Sequence, residues 1–255
     1  MGTYLDRILE WHRSQPTIEP TPSEIDAAAA LEPTRGFAAA LSDADSLAVI
    51  AEIKRRSPSR GDLNAGLDPA ALAGVYEHHG ASCLSVLTDV EFFSGSVDDL
   101  RRARAAVGLP VLRKDFTVSA ADVVQTRMMG ADCVLLIAAA LSPDELSRLH
   151  RLARQIGLDV LVEIHDESEL EMALDAEATL IGVNQRDLVT FEVDHARAER
   201  MAGLIPDDVV KVAESGVRDG GDALRLRAAG YDAVLVGESL VTASDIGGAL
   251  RALQV

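Results

Sequence analysis

Three lysines, Lys54, Lys114 and Lys211, are the only ones in this chain of 255 residues; the other 21 basic residues are arginine. All three lie within or at the end of short apolar runs: V-I-A-E-I-K, P-V-L-R-K-D and V-V-K-V-A-E-S. A buried lysine can give up its proton, whereas a guanidinium effectively cannot. Lysines at such positions point to proton transfer or a compact charge contact in a pocket; the bland alternative is chance among few events. Other groups suited to chemistry share the pattern. Glu52, Asp115, Glu163, Asn184, Arg186, Glu214 and Ser215 all fall late in, or just after, apolar runs. Glu52 and Lys54 are two residues apart and share one face of an extended strand. Carboxylates are costly to bury unpaired, so two lysines and an arginine among three glutamates suggest a mutually compensated site. The alternative is a set of strand-end ion pairs supporting loops.

These residues need a scaffold that brings strand ends together. Apolar runs recur near 48–54, 82–88, 110–115, 132–138, 158–164, 179–184, 208–214 and 232–237, with helix-period segments between them. Cap-like signals at Ser119 and Ser142-Pro143 open two of those helices. The junctions H-H-G-A-S-C, M-M-G-A-D-C and A-A-G-Y-D-A put glycine where a helix should stop. Strand and helix in alternation imply parallel strands with right-handed crossovers. Eight units predict an α/β fold, a closed (β/α)8 TIM barrel, over an open doubly wound sheet; the first strand is not followed by G-x-G-x-x-G. In that barrel the active site lies at the C-terminal ends of the strands, where the ionisable residues fall. Residues 1–45 are expected to form a separate extension of one or two helices, broken around Pro16, Pro20 and Pro22, packed on a 46–255 barrel.

Lys211 lies three residues before Glu214, so it should face the other side of its strand, and it is expected to be structural. Glycines after the last two strands would let backbone amides approach a phosphate, helped by a short helix N-terminus. Gly216, Gly237 and the amides of Glu238 and Ser239 are the candidates, with hydroxyls from Ser57-Pro58-Ser59 beside them. Phe92, Phe93, Phe116 and Phe191 fall in loops at the same end. They read either as an apolar wall for a ring-bearing substrate or as loop packing.

Composition narrows the partners. The chain is 48% apolar with a formal net charge of −17 and no basic block. Nucleic acid and anionic membranes are not expected partners. Cys83 and Cys133 read as small core residues, neither a disulfide nor a metal site. No signal peptide or membrane span is visible, and a soluble, cytoplasmic protein is expected.

The segments V-I-A-E-I-K-R-R-S-P-S-R-G (49–61), V-L-R-K-D-F (111–116), L-V-E-I-H (161–165), G-V-N-Q-R-D-L (182–188), A-E-S-G-V (213–217) and V-G-E-S-L (236–240) together closely resemble the indole-3-glycerol phosphate synthase family. The resemblance implies closure of an indole ring in tryptophan biosynthesis. The substrate would be 1-(2-carboxyphenylamino)-1-deoxyribulose 5-phosphate, and the products indole-3-glycerol phosphate, CO2 and water. No metal or organic cofactor is implied, and a monomer or weak homo-oligomer is expected. It implies that Lys114 is the general acid, its pKa brought down by partial burial and neighbouring cations. Glu163 would assist loss of the hydroxyl, and Lys54 would hold the substrate carboxylate. Glu52, Asn184, Glu214 and Ser215 would polarise sugar hydroxyls and position the lysines. Arg186 would either reach the carboxylate or support Glu52. The chain departs from the family near Ala121, where members commonly carry an aromatic, and over residues 13–35. Two rivals remain at this point: a catalytically silent paralogue binding a phosphorylated ligand, and a barrel of the phosphoribosylanthranilate isomerase type. The latter would want a Cys/Asp pair at strand ends, whereas both cysteines here sit near strand starts.

Overall fold

The computed structural model describes residues 3–57, 60–64, 66–187 and 189–255. Pro58 and Ser59, two of the three residues in the expected hydroxyl loop, lie outside the described residues, as does Leu188.

Eight parallel strands close a barrel: β1 (Ala48–Ile53), β4 (Cys83–Leu87), β5 (Val111–Lys114), β6 (Cys133–Ile137), β7 (Asp159–Ile164), β8 (Leu180–Asn184), β9 (Val210–Glu214) and β10 (Ala233–Val236). Each pairs with its sequence neighbour, and β1 closes the ring against β10. A two-stranded antiparallel hairpin, β2 (Arg56–Ser57) and β3 (Gly61–Asp62), follows β1; the sequence reading has no counterpart for it. Helices α4 (Pro69–His78), α5 (Val97–Ala106), α6 (Ala120–Met129), α7 (Pro143–Gln155), α8 (Glu167–Asp175), α9 (Arg197–Ala202) and α10 (Gly220–Ala228) alternate with the strands. A short helix α11 (Glu238–Val241) and then α12 (Ile246–Leu253) follow β10.

Local chemistry sets these bounds. Ser119 and Ser142 each accept the amide three residues on, and the acidic side chains of Asp122 and Glu145 reach back, so both expected caps are full capping boxes. Gly80, Gly130 and Gly230 stop their helices at φ of 88°, 93° and 97°, a region that side-chain-bearing residues rarely adopt. The strands are almost wholly buried on both faces, as a barrel inside a ring of helices requires.

The N-terminal segment forms three helices rather than one or two: α1 (Tyr4–Ser14), α2 (Pro22–Ala29) and α3 (Phe37–Ser42). Pro22 does not break a helix; it opens α2 at its first position, where a missing N–H costs nothing. The segment runs from one end of the barrel to the other. Tyr4, Leu5 and Ile8 of α1 lie over the C-terminal mouth. The fully buried Phe37 of α3 sits under the opposite end, where its carbonyl faces Cys83 Sγ at 3.7 Å and the Ala38 amide donates to Asp159 at 3.0 Å. Cys83 and Cys133 are free and buried at strand starts.

Candidate active site

The pocket at the C-terminal mouth has an apolar floor of Leu87, Leu135, Ile137 and Leu235. Fifteen of the sequence-predicted site residues line it: Glu52, Lys54, Ser57, Phe93, Lys114, Phe116, Glu163, Asn184, Arg186, Glu214, Ser215, Gly216, Gly237, Glu238 and Ser239. They meet because each ends a strand or follows one. Barrel register makes several of them neighbours, with Asn184 beside Glu214 and Glu163 beside Gly182.

Two lysine–carboxylate clusters organise the polar wall. Lys114 Nζ donates to Glu163 at 2.7 Å and lies 3.3 Å from Glu214. Asn184 Nδ2 donates to the other Glu163 oxygen at 2.9 Å, and the Arg186 amide fixes Asn184 by donating to its Oδ1 at 3.0 Å. Lys54 forms an ion pair with Glu52. Glycines make room for two of these carboxylates. A Cβ at Gly182 would stand 2.1 Å from Glu214 Oε1, and one at Gly237 would stand 2.2 Å from Glu52 Oε1.

Electrostatics corrects one expectation. Burial alone would depress the Lys114 ammonium, but Glu163, Glu214 and Glu52 outweigh it and raise its pKa above the ordinary lysine value. The neighbours are anions, not the cations that the general-acid reading invoked, so the resting ammonium is held rather than loosened. The two glutamates sharing that ammonium diverge. Burial opposes ionisation of both; Lys114, His165 and Asn184 hold Glu163 well below the usual carboxylate range. Burial and the nearby Glu163 charge, only partly offset by Lys114, push Glu214 up to about 8. Glu214 therefore keeps its proton to higher pH than an ordinary carboxyl does, and in that form it can donate as well as accept.

Arg186 does not support Glu52. It donates to the Phe191 carbonyl at 3.1 Å and lies 3.9 Å from Glu238, leaving Glu52 to Lys54. At the glycine-rich end, Gly216 has a φ of 74° and Gly237 precedes α11. The Glu238 carboxylate pairs with Arg60 at 2.9 Å. Ser239 Oγ already donates to the Val217 carbonyl, which leaves its amide as the donor suited to a phosphate. Ser57 is buried, and its Oγ accepts the Arg60 amide at 3.3 Å. Ser215 is held in the left-handed region at φ 64°, with its carbonyl accepting from Gln185 at 2.7 Å.

The aromatics divide between the pocket wall and loop packing. Phe93, Phe116 and Phe191 line the pocket, the first two with ring centroids 6.2 Å apart. Phe92 instead packs edge-on against Tyr4 and Trp11 of α1. Lys211 lies away from the pocket, as expected; its Nζ donates to the Ala202 carbonyl at 3.4 Å and lies 3.5 Å from Asp207.

Sequence reasoning missed the roof formed by Tyr4, Leu5 and Ile8, and its clasp, in which His12 meets Asp89 at 2.9 Å. The only signal was the amphipathic spacing of α1, which shows an apolar face and not where it docks.

A family model described as indole-3-glycerol phosphate synthase matches residues 4–253. The chain is 46% identical over 251 residues to the indole-3-glycerol phosphate synthase of Chlorobium luteolum, with 96% of each chain covered. It is 50% identical over 223 residues to the protein of that name from Polaromonas sp., covering 86% of this chain and 84% of that one. Among solved structures it resembles, in fold alone, a thiamine phosphate pyrophosphorylase from Pyrococcus furiosus, at TM-score 0.60 and 15% identity over 81% of this chain and 93% of that one. The same holds for an N-acetylmannosamine-6-phosphate 2-epimerase from Clostridium perfringens, at TM-score 0.62 and 12% identity over 78% and 90%. Matched along nearly its whole length, the chain belongs to the indole-3-glycerol phosphate synthase family.

Proposed function

We propose that the pocket at the C-terminal mouth is where this chain performs the reaction of its family, with Lys114 as the acid and Glu163 as its partner. The reaction closes an indole ring in tryptophan biosynthesis, from 1-(2-carboxyphenylamino)-1-deoxyribulose 5-phosphate to indole-3-glycerol phosphate, CO2 and water. What supports the assignment above all is one ammonium, Lys114, shared by two buried carboxylates at the centre of the pocket, with the Lys54–Glu52 pair in the same wall.

The ring carbon bearing the carboxylate attacks the ketone carbon, and the ketone oxygen takes the proton of Lys114. The C–C bond to the carboxylate then breaks, CO2 leaves, and its electron pair returns to the ring system. The new hydroxyl then takes up a proton and leaves as water while the adjacent ring CH2 gives one up; ionised Glu163 assists this loss by accepting the CH2 proton. With an ionised substrate carboxylate, one proton is consumed overall. Lys54 holds that carboxylate, and Arg186 lies on the same wall. Substrate must compete with the carboxylates for both ammonium groups, and that exchange of partners frees the Lys114 proton. Glu214, with Asn184, Glu52 and Ser215, addresses the sugar hydroxyls. Phe93 and Phe116 flank the ring. The amides of Gly216, Gly237, Glu238 and Ser239, with Ser57 beside them, take the phosphate.

Partners beyond this phosphorylated small molecule are not called for; we propose a monomer or weak homo-oligomer working in the cytoplasm. Among the described residues no helix is long and apolar enough to cross a membrane. The test is the appearance of indole fluorescence on mixing protein with substrate. Lys114→Arg keeps the charge but cannot donate the proton efficiently, and should lose most turnover. Near-normal turnover in that variant would remove Lys114 from the acid role, and saturable binding without turnover in the unaltered protein would favour a silent paralogue.

A further inference from the structure

His165 is the residue after β7, two positions beyond Glu163, and it is not among the residues lining the pocket. Its Nδ1 and its backbone amide both contact Glu169 Oε2 on α8, at 3.0 and 2.7 Å. One carboxylate oxygen thus fixes both the ring and the main chain that carries it. The other ring nitrogen, Nε2, is buried without a hydrogen-bond partner among the described residues and lies 3.9 Å from Glu163 Oε1. That is the oxygen facing away from Lys114, which binds Oε2. An imidazole with one nitrogen fixed on a carboxylate and the other aimed at a second carboxylate is arranged to be a cation.

The chemistry gives such a cation a use. In the resting site Glu163 is ionised against the Lys114 ammonium. Once Lys114 protonates the ketone oxygen it becomes a neutral amine, and Glu163 is left as a buried anion without its counter-cation, with only the uncharged Asn184 amide and the Glu214 carboxyl beside it, which is costly. An anion stranded in this way draws the proton back and opposes its transfer. We propose that His165, held by Glu169, is a second counter-cation for Glu163 that keeps this carboxylate ionised and in place while Lys114 hands its proton to the substrate. His165 touches no substrate atom and acts through Glu163, so it is a positioning residue. The inference rests on the acid–partner reading of Lys114 and Glu163.

The charges around the imidazole favour this. Glu163 faces it from the end of β7, Asp166 from the turn that follows and Glu169 from α8, while Arg197 on α9 opposes them. Burial alone would favour the neutral ring, but Glu169 and Glu163 outweigh both burial and Arg197 and raise its pKa.

The test is the pH profile of kcat for His165→Gln and Glu169→Gln, beside Lys114→Arg, with thermal melting to establish folding. Glutamine at 165 is close in size but carries no charge. It should lower kcat about tenfold, change KM less than threefold, and move the acidic limb upward by about one pH unit, the effect of losing a nearby opposite charge. Glu169→Gln should move the limb in the same direction by less. An unmoved limb in His165→Gln overturns the proposal, whether turnover is kept or lost, because a merely structural role changes rate without changing the titration. If His165→Gln does not melt cooperatively, Glu169→Gln decides on the same criterion. Failure of the underlying reading looks different: Lys114→Arg would then retain turnover. An inactive Lys114→Arg with an unmoved His165→Gln profile overturns the counter-cation alone.

Discussion

Gly182→Ala adds a single methyl group to the interior of β8, and the geometry fixes what it meets. The new Cβ would stand 2.1 Å from Glu214 Oε1, 3.1 Å from its Cδ and 3.2 Å from Leu161 Cδ1. Ordinary contact begins near 3.4 Å, so the Glu214 carboxyl must retreat by about an ångström or more. It has little room to do so, because Glu214 is 1% exposed and its Oε2 shares Lys114 with Glu163. Overpacking of this kind costs about 1–3 kcal/mol. For a chain of this size each kcal/mol lowers Tm by about 2–4 °C. The catalytic effect should be larger than the stability effect, since a misplacement of about 1 Å in a reacting constellation costs on the order of 100-fold in rate. The assay is kcat from indole fluorescence, paired with a thermal melt. Gly203→Ala is the control: nothing lies within 4 Å of its Cβ position, and its φ of −77° suits alanine, so rate and Tm should hold. A Gly182→Ala protein with kcat within threefold of the original and an unchanged Tm would refute the argument that this glycine seats Glu214.

Two further predictions follow from the charged groups. Glu214 is raised to about 8 in the folded chain, so between the ordinary carboxylate value and 8 the native state holds a proton that the unfolded state releases. Stability from this group is fully present below about pH 4.3 and declines as pH rises to 8; the Tm of Glu214→Gln should therefore gain on that of the original between pH 5 and 8, and a constant difference would exclude the raised value. Lys211→Arg should keep kcat/KM within twofold, because its contacts are the Ala202 carbonyl and Asp207 on the outer side of β9; a tenfold loss with an intact fold would place Lys211 in the chemistry after all.

The barrel was legible because its signals are repetitive. Eight apolar runs, glycines after three helices and serine caps before two all say the same thing, and strand bounds agree with expectation to within about two residues. The site was legible because the fold puts every strand end in one place, so late-strand Glu163, Asn184 and Glu214 had to converge. Two kinds of feature escaped. The β2–β3 hairpin has strands of two residues each, too short for a period to register. The rest depended on distance in space. The raised Lys114 pKa comes from three carboxylates on β1, β7 and β9. His12 finds Asp89 77 positions away, and nothing in the spacing of α1 announces it. Lys211 shows the opposite case, since strand periodicity alone turned it outward.

The N-terminal segment has a kinetic meaning of its own. Helix α1 contributes Tyr4, Leu5 and Ile8 to the pocket, while α3 is anchored under the far end of the barrel. Between α1 and α2 run residues 15–21, including Pro16 and Pro20. The roof is thus an intramolecular ligand for the barrel mouth. A short tether holds such a ligand at an effective concentration on the order of millimolar, and prolines narrow the volume it explores. An α1 whose intrinsic affinity for the mouth is only millimolar would still be docked about half the time. The tether thus adds to the His12–Asp89 clasp: whatever the strength of those contacts, it keeps α1 beside the mouth it covers.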